Sequence, residues 1–153
     1  MIVYRLTREK YCFDLSGKGA YLTRGRWNSK GVHILYTVVN RSLAMAEVAV
    51  HLNFAYLPDD YVMVEIFVPD NAPLLKISEY ELPKYWNSIR LNQNKLKKTG
   101  DSFIKEDKYL SLQVPSAVTK GDYNILINPA HTLFDKVKVI NTEKFPFDHR
   151  IFH

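Results

Sequence analysis

Gly25-Arg26-Trp27-Asn28 places a forked guanidinium beside a glycine that lets the backbone come close to a ligand. That combination suits a phosphate or a carboxylate, although a surface turn can carry the same residues. Tyr36 stands in an apolar run, where a tyrosine either joins the core with its hydroxyl satisfied nearby or offers an aromatic face to a flat ring. Glu47 lies in a segment rich in alanine, valine, leucine and methionine, where a carboxylate is costly without a partner. His51, one helical turn on, is one partner it could take, and a cleft-facing carboxylate is the other explanation. Ser116 follows a strand-ending Pro115, which is first of all a turn position. Asn124, Asn128 and His131 come soon after it, as a ligand-binding loop would require. There is no glycine-rich phosphate loop, no Gly-x-Ser-x-Gly elbow and no His-Glu-x-x-His helix.

The elements that must position these residues alternate between strands and helices without regular βαβ winding. Ile2 to Leu6 reads as an opening strand, and His33 to Val39 as a second, rich in β-branched and aromatic residues. Ser42 to Phe54 reads as a helix capped by Asn40 or Ser42, with Leu43, Glu47, Val50 and Phe54 on one stripe. Its other directions are also largely apolar, which predicts a buried helix. Tyr61 to Val68 is the clearest strand, with Val62, Val64, Ile66 and Val68 on one face. Leu74 to Ile77 is a short strand. The stretch from Leu82 to Lys108 predicts one or two helices with a break at Gly100. Tyr109 to Val114, Ile125 to Ile127 and Val137 to Ile140 supply further strands, the last an outer one because Lys136 and Lys138 alternate with Val137 and Val139. The expected fold class is α+β, with a mixed, largely antiparallel sheet and flanking helices, in a single domain over 1–153.

Composition narrows the function classes. The chain of 153 residues is long enough to bury one core, and 46% hydrophobic with 24% charged residues excludes general disorder. Its apolar runs are too short to span a bilayer, and the N-terminus lacks the basic-then-apolar pattern of a signal peptide, so it reads as mature from the first residue. The one cysteine, Cys12, cannot form an internal disulfide and reads as a small semi-buried thiol, in keeping with a cytoplasmic location. No cluster has metal-ligand spacing, so no metal is expected. A net charge of +5 favours anionic partners, but no nucleic-acid-binding module is visible.

Taken in order, these stretches resemble the RES domain family, named for an arginine, a glutamate and a serine that its members share. The resemblance is carried by Gly25-Arg26-Trp27-Asn28 with Gly31, by Ile34-Leu35-Tyr36-Thr37 and by Leu43-Ala44-Met45-Ala46-Glu47. It continues through Val114-Pro115-Ser116-Ala117-Val118, Tyr123 to His131, and the ending Phe145-Pro146-Phe147-Asp148-His149-Arg150. It covers Tyr4 to Arg150 and is poorest over Leu82 to Lys108.

The resemblance implies an ADP-ribosyltransferase-like fold and a toxin of a bacterial toxin–antitoxin pair, opposed by an Xre-like antitoxin through which alone it would reach DNA. It implies NAD⁺ as substrate, with growth inhibited by NAD⁺ depletion or by transfer of ADP-ribose. By motif position the catalytic arginine, glutamate and serine carry over to Arg26, Glu47 and Ser116. The NAD⁺-binding residues carry over to Tyr36, Asn124 and Arg5, the last within Tyr4-Arg5-Leu6. Two other readings of the residues stay open: a binding module whose pocket has lost its chemistry, and a nucleic-acid-binding protein, which steep salt dependence would reveal.

Overall fold

The computed structural model describes residues 1–53, 55–90 and 92–152. In chain order the strands are β1 (Ile2–Arg8), β2 (Leu35–Val38), β3 (Tyr61–Phe67), β4 (Leu74–Lys76), β5 (Ser111–Pro115), β6 (Tyr123–Ile127) and β7 (Lys138–Lys144). The α-helices among the described residues are α1 (Lys18–Thr23), α2 (Arg41–Ala49) and α3 (Asn94–Glu106). The strands form one 7-stranded sheet in the order β4-β5-β6-β2-β1-β3-β7, antiparallel except for the β4–β5 pair. The fold class is therefore α+β with a mixed, largely antiparallel sheet.

The sheet is narrowest where β1 meets β2, which share the single register pair Tyr4–Val38, whereas β1 pairs with β3 along its whole length, from Ile2–Phe67 to Arg8–Tyr61. Two half-sheets, β4-β5-β6-β2 and β1-β3-β7, are joined there and bury a shared core. The alternation read in β3 explains it. Val62, Val64 and Ile66 pack with Val3 of β1, Leu35 of β2, and Ile125 and Ile127 of β6. Met63, on the opposite face of β3, packs instead with Leu6, Leu43 and Ala44 beneath α2. On the outer face of the other half-sheet, Leu112, Val114 and Leu126 receive Leu96 and Phe103 of α3 together with Trp27 and Trp86. β7 is an edge strand, as the lysine alternation predicts: Val137 is buried while Lys136 and Lys138 are exposed. A bulge opposite Glu65 and Ile66 then shifts the phase and turns Ile140 outward.

Two expectations about helices need correction. The helix read over Ser42 to Phe54 starts under an Asn40 cap, whose Oδ1 accepts the Leu43 amide at 2.7 Å, but ends at Ala49. Beyond that point the chain tightens: the amides of His51 and Leu52 donate to the carbonyls three residues back, at 3.0 and 3.2 Å. Phe54 lies outside the described residues. Only Leu43 and Ala44 of α2 are buried, and Val50 at its end is 57% exposed, because Glu47, Val50 and His51 face a cleft. The second correction concerns Gly100, which interrupts nothing: α3 runs through it, with Leu96, Gly100 and Phe103 as its buried positions. Leu91, in the same predicted stretch, lies outside the described residues.

Candidate functional site

A cleft of about 1030 Å³ lies between α2, the ends of β5 and β6, and the loop that follows α1. Each of its chemical groups arrives by a different route. α2 projects Glu47 from its open face, β6 supplies Asn124 from its first turn of alternation, and β2 supplies Tyr36. The loop after α1 supplies Arg26. Pro115, the last residue of β5, sends the chain into the turn that carries Ser116.

Glu47 is held from the sheet. One oxygen, Oε1, accepts Asn124 Nδ2 at 3.0 Å and the Ser116 hydroxyl at a longer 3.3 Å. Ser116 Oγ in turn accepts the amides of Val118 and Thr119 at 3.1 and 3.0 Å. A hydroxyl has one proton and two acceptor sites, so Ser116 is fully used: it shapes its own turn and aims its proton at the carboxylate. The hydroxyl thus serves the turn and contacts Glu47 at the same time. The partnership offered by His51 is not the one the fold uses. His51 falls beyond the end of α2 and lines the cleft, while Glu47 takes its partners from β6 and the turn after β5. The other amide atom of Asn124, Oδ1, is buried with no hydrogen-bond partner among the described residues, a cost that native folds tolerate mainly at working sites.

Arg26 donates one N–H to the Trp86 carbonyl at 3.0 Å, and the guanidinium lines the cleft with donors to spare. Burial pulls its pKa below the ordinary value, and the nearby Glu47 charge acts in the opposite direction. The two groups therefore share one electrostatic environment across the cleft. The Tyr36 hydroxyl is spent in the wall: it donates to Asn28 Oδ1 at 2.7 Å and accepts the Trp27 amide at 3.2 Å. Burial raises its pKa, so it stays neutral at physiological pH and the ring is what it offers to the cleft. Tyr36→Phe should leave the Trp27 amide and Asn28 Oδ1 each short of a partner and cost roughly 1–3 kcal/mol. Urea denaturation measures this, and an unchanged midpoint would show that the hydroxyl does not brace the wall.

The structure does not bring every expected residue to the cleft. Arg5 lines a separate cavity of about 100 Å³, of which Tyr36 is also a wall, and donates to the Asp14 carbonyl at 2.7 Å. Its pKa is lowered by burial against the opposing effect of Asp14. Asn128 is fully buried and braces the loop after β6, donating to Asp107 at 2.8 Å and accepting the Ala130 amide. His131 Nδ1 accepts the Leu133 amide in the same loop. Cys12 is a buried free thiol. Sequence reasoning missed the contributions of the weakly read stretch: Asn87, Ile89 and Gln93 complete the cleft wall, and Trp86 anchors Arg26. The tryptophan was a usable signal, since a large aromatic in a polar segment needs somewhere to pack. Among the described residues no three His, Cys, Asp or Glu side chains cluster to hold a metal ion, and no helix is long and apolar enough to cross a membrane.

Residues 2–148 match the family model described as RES domain. A protein of Sphingobium sp. (strain YBL2) named Prs ADP-ribosylating toxin is 36% identical over 140 residues, covering 90% of this chain and 86% of its own length. A protein of Photorhabdus laumondii subsp. laumondii named Toxin Res is 35% identical over 156 residues, covering 99% of this chain and 97% of its own length. Among solved structures, a chain in the crystal structure of the M. tuberculosis MbcT–MbcA toxin–antitoxin complex superposes with a TM-score of 0.73 at 17% identity. That match covers 99% of this chain and 86% of the other, and it shows a common fold.

Proposed function

The chain belongs to the RES domain family, and from that premise we propose that it is the toxin of a bacterial toxin–antitoxin pair that binds NAD⁺ and cleaves its nicotinamide–ribose bond. The observation that carries the reading is one carboxylate, Glu47, fixed by Ser116 and Asn124 in a cleft that also holds Arg26 and Tyr36. Breaking the bond from C1′ of the ribose to the nicotinamide nitrogen builds positive charge on the ribose, as in glycoside cleavage, while the bonding pair leaves with nicotinamide. An anion already oriented in the cleft stabilises that charge without reorganising. Arg26 binds the pyrophosphate through charge-assisted hydrogen bonds, and the Tyr36 ring packs against a flat part of the substrate. Ser116 and Asn124 act on the carboxylate, holding it where it is needed.

The acceptor distinguishes two forms of the reading. Water or inorganic phosphate at C1′ gives NAD⁺ depletion. A protein side chain gives ADP-ribosylation, a form favoured by the name of the 36% identical relative. The apolar rim of the cleft, where Ile89 is 87% exposed and Val50 57% exposed, would suit a protein acceptor. The reading includes an Xre-like antitoxin as partner and a cytoplasmic site of action.

The test is nicotinamide release from NAD⁺ by the purified protein, with and without inorganic phosphate, and with Glu47→Gln as control. Release by the wild type supports the reading, and a phosphate requirement identifies the acceptor. No release in any condition, with no ADP-ribose transferred to proteins of a bacterial lysate, would refute it. In the same assay Arg26→Ala should raise the KM for NAD⁺ by roughly 10- to 100-fold, the worth of charged hydrogen bonds. A normal KM and kcat would remove Arg26 from the phosphate-binding role.

A further inference from the structure

The turn that carries Arg26 is held against its own conformational preferences. Arg24, two residues before it, has φ 59° and ψ 163°, a backbone region that side-chain-bearing residues avoid at a cost of about 1–3 kcal/mol. From there the chain makes a tight return, with the Gly25 amide donating to the Asn28 carbonyl at 3.2 Å and Arg26 and Trp27 at the tip. Such a conformation persists only if its surroundings over-determine it. Inside the turn, Asn28 Nδ2 donates to the carbonyls of Ala20, Ser29 and Val32, and its Oδ1 accepts Tyr36. From outside, the decisive contact comes from a helix whose segment shows the least resemblance to the family.

α3 meets the turn at two consecutive residues. Gly100 lies so close that a Cβ built on it would stand 1.6 Å from the Trp27 carbonyl oxygen. Asp101, the next residue, engages Ser29 with both carboxylate oxygens: Oδ1 accepts the Ser29 amide at 2.9 Å and Oδ2 accepts the Ser29 hydroxyl at 2.6 Å. These bonds link positions 72 apart in sequence and fix both the backbone and the side chain of the residue that closes the turn. Asp101 itself does not line the cleft.

We infer that Asp101 is a positioning residue for Arg26: by gripping Ser29 through both carboxylate oxygens, it locks the Gly25–Asn28 turn that presents the guanidinium to the cleft. α3 thereby acquires a role in substrate binding without touching the substrate. The kinetic consequence rests on the NAD⁺ reading; the lock itself does not.

The experiment measures hydrogen exchange and kinetics on the full chain in Asp101→Ala and Ser29→Ala, the second removing only one of the two bonds. In Asp101→Ala the amides of Gly25 and Trp27 should exchange at least about tenfold faster, while Ile125 and Ile127 of β6 keep wild-type protection, the signature of local opening. Ser29→Ala should show the same pattern more weakly. The KM for NAD⁺ should rise about tenfold in Asp101→Ala with kcat little changed, in keeping with one lost charged interaction. Asp101→Asn, which keeps one carbonyl acceptor, should recover part of it. In an Arg26→Ala background, Asp101→Ala should add no further KM penalty. Unchanged exchange at Gly25 and Trp27 overturns the inference, as does exchange that rises equally in β6 in both variants. A penalty that adds in full to that of Arg26→Ala breaks the link to Arg26. Wild-type protein that turns over no NAD⁺ refutes the NAD⁺ reading instead, while the exchange comparison still decides the lock.

Discussion

Glu47→Gln is expected to fold and to release nicotinamide at least about 100-fold more slowly than the wild type, the scale of loss when one preorganised charge-stabilising group is removed. The substitution is nearly isosteric. A glutamine carbonyl still accepts Asn124 Nδ2 and the Ser116 hydroxyl, so the hydrogen bonds at 3.0 and 3.3 Å can survive with neutral partners. Glu47 is half-buried, one turn beyond the fully buried Leu43 that anchors the helix, and the substitution keeps its size and its acceptor oxygen, so stability should shift by less than about 1 kcal/mol. On the proposed mechanism, what disappears is the negative charge facing a ribose that becomes positive at the transition state. The KM should move far less than kcat, because Arg26 and Tyr36 remain in place to bind the ground state. Release assays on matched, thermally characterised samples decide the matter. A folded glutamine variant with wild-type turnover would remove Glu47 from the chemistry, and an unfolded one would show that its charge is structural.

The parts of this site that could be read in the sequence are those where residue type conflicts with context. A carboxylate in the Leu43–Ala49 run and a glycine before Arg26 stand out because an ordinary core or turn has no need of them. The β3 alternation is equally plain, because Val62, Val64 and Ile66 are buried on one face while Tyr61 and Glu65 on the other are only half-buried, so a slip of one residue would expose the apolar set. What could not be read depends on distance in the chain. Whether Glu47 pairs with His51 or with Ser116 and Asn124 is decided by how the β5 and β6 ends meet α2, 69 and 77 residues away, and no local pattern encodes that. The early end of α2 was hidden because alanine, valine and leucine satisfy helix periodicity whether or not tertiary contacts support the last turn. Arg5 was placed by its motif, and its side chain lines the cavity beyond Tyr36, where it bonds the Asp14 carbonyl nine residues on. Gly100 is the instructive case. A glycine within a polar, lysine-rich stretch signals a break on propensity alone, whereas here it marks a close approach.

That distinction gives Gly100→Ala a sign opposite to the one helix propensity assigns. In an isolated helix, alanine in place of glycine stabilises by about 1 kcal/mol. At Gly100 the new methyl would meet the Trp27 carbonyl oxygen at 1.6 Å and the Trp27 carbonyl carbon at 2.8 Å. Those are backbone atoms of a turn already held in place by Asn28 and Asp101, so neither side can yield cheaply. Overpacking of this kind costs roughly 3 kcal/mol, which for a domain of this size lowers Tm by about 10 °C. Gly19→Ala in α1 is the matched control. Gly19 has open space where a Cβ would go, so there the propensity term should act alone and Tm should rise by a few degrees, about 0.5–1 kcal/mol. Opposite shifts at the two glycines would establish that α3 presses on the Arg26 turn through its backbone. A stabilised Gly100→Ala protein would mean that the helix stands off from Trp27, and the strained turn at Arg24 would then need another support.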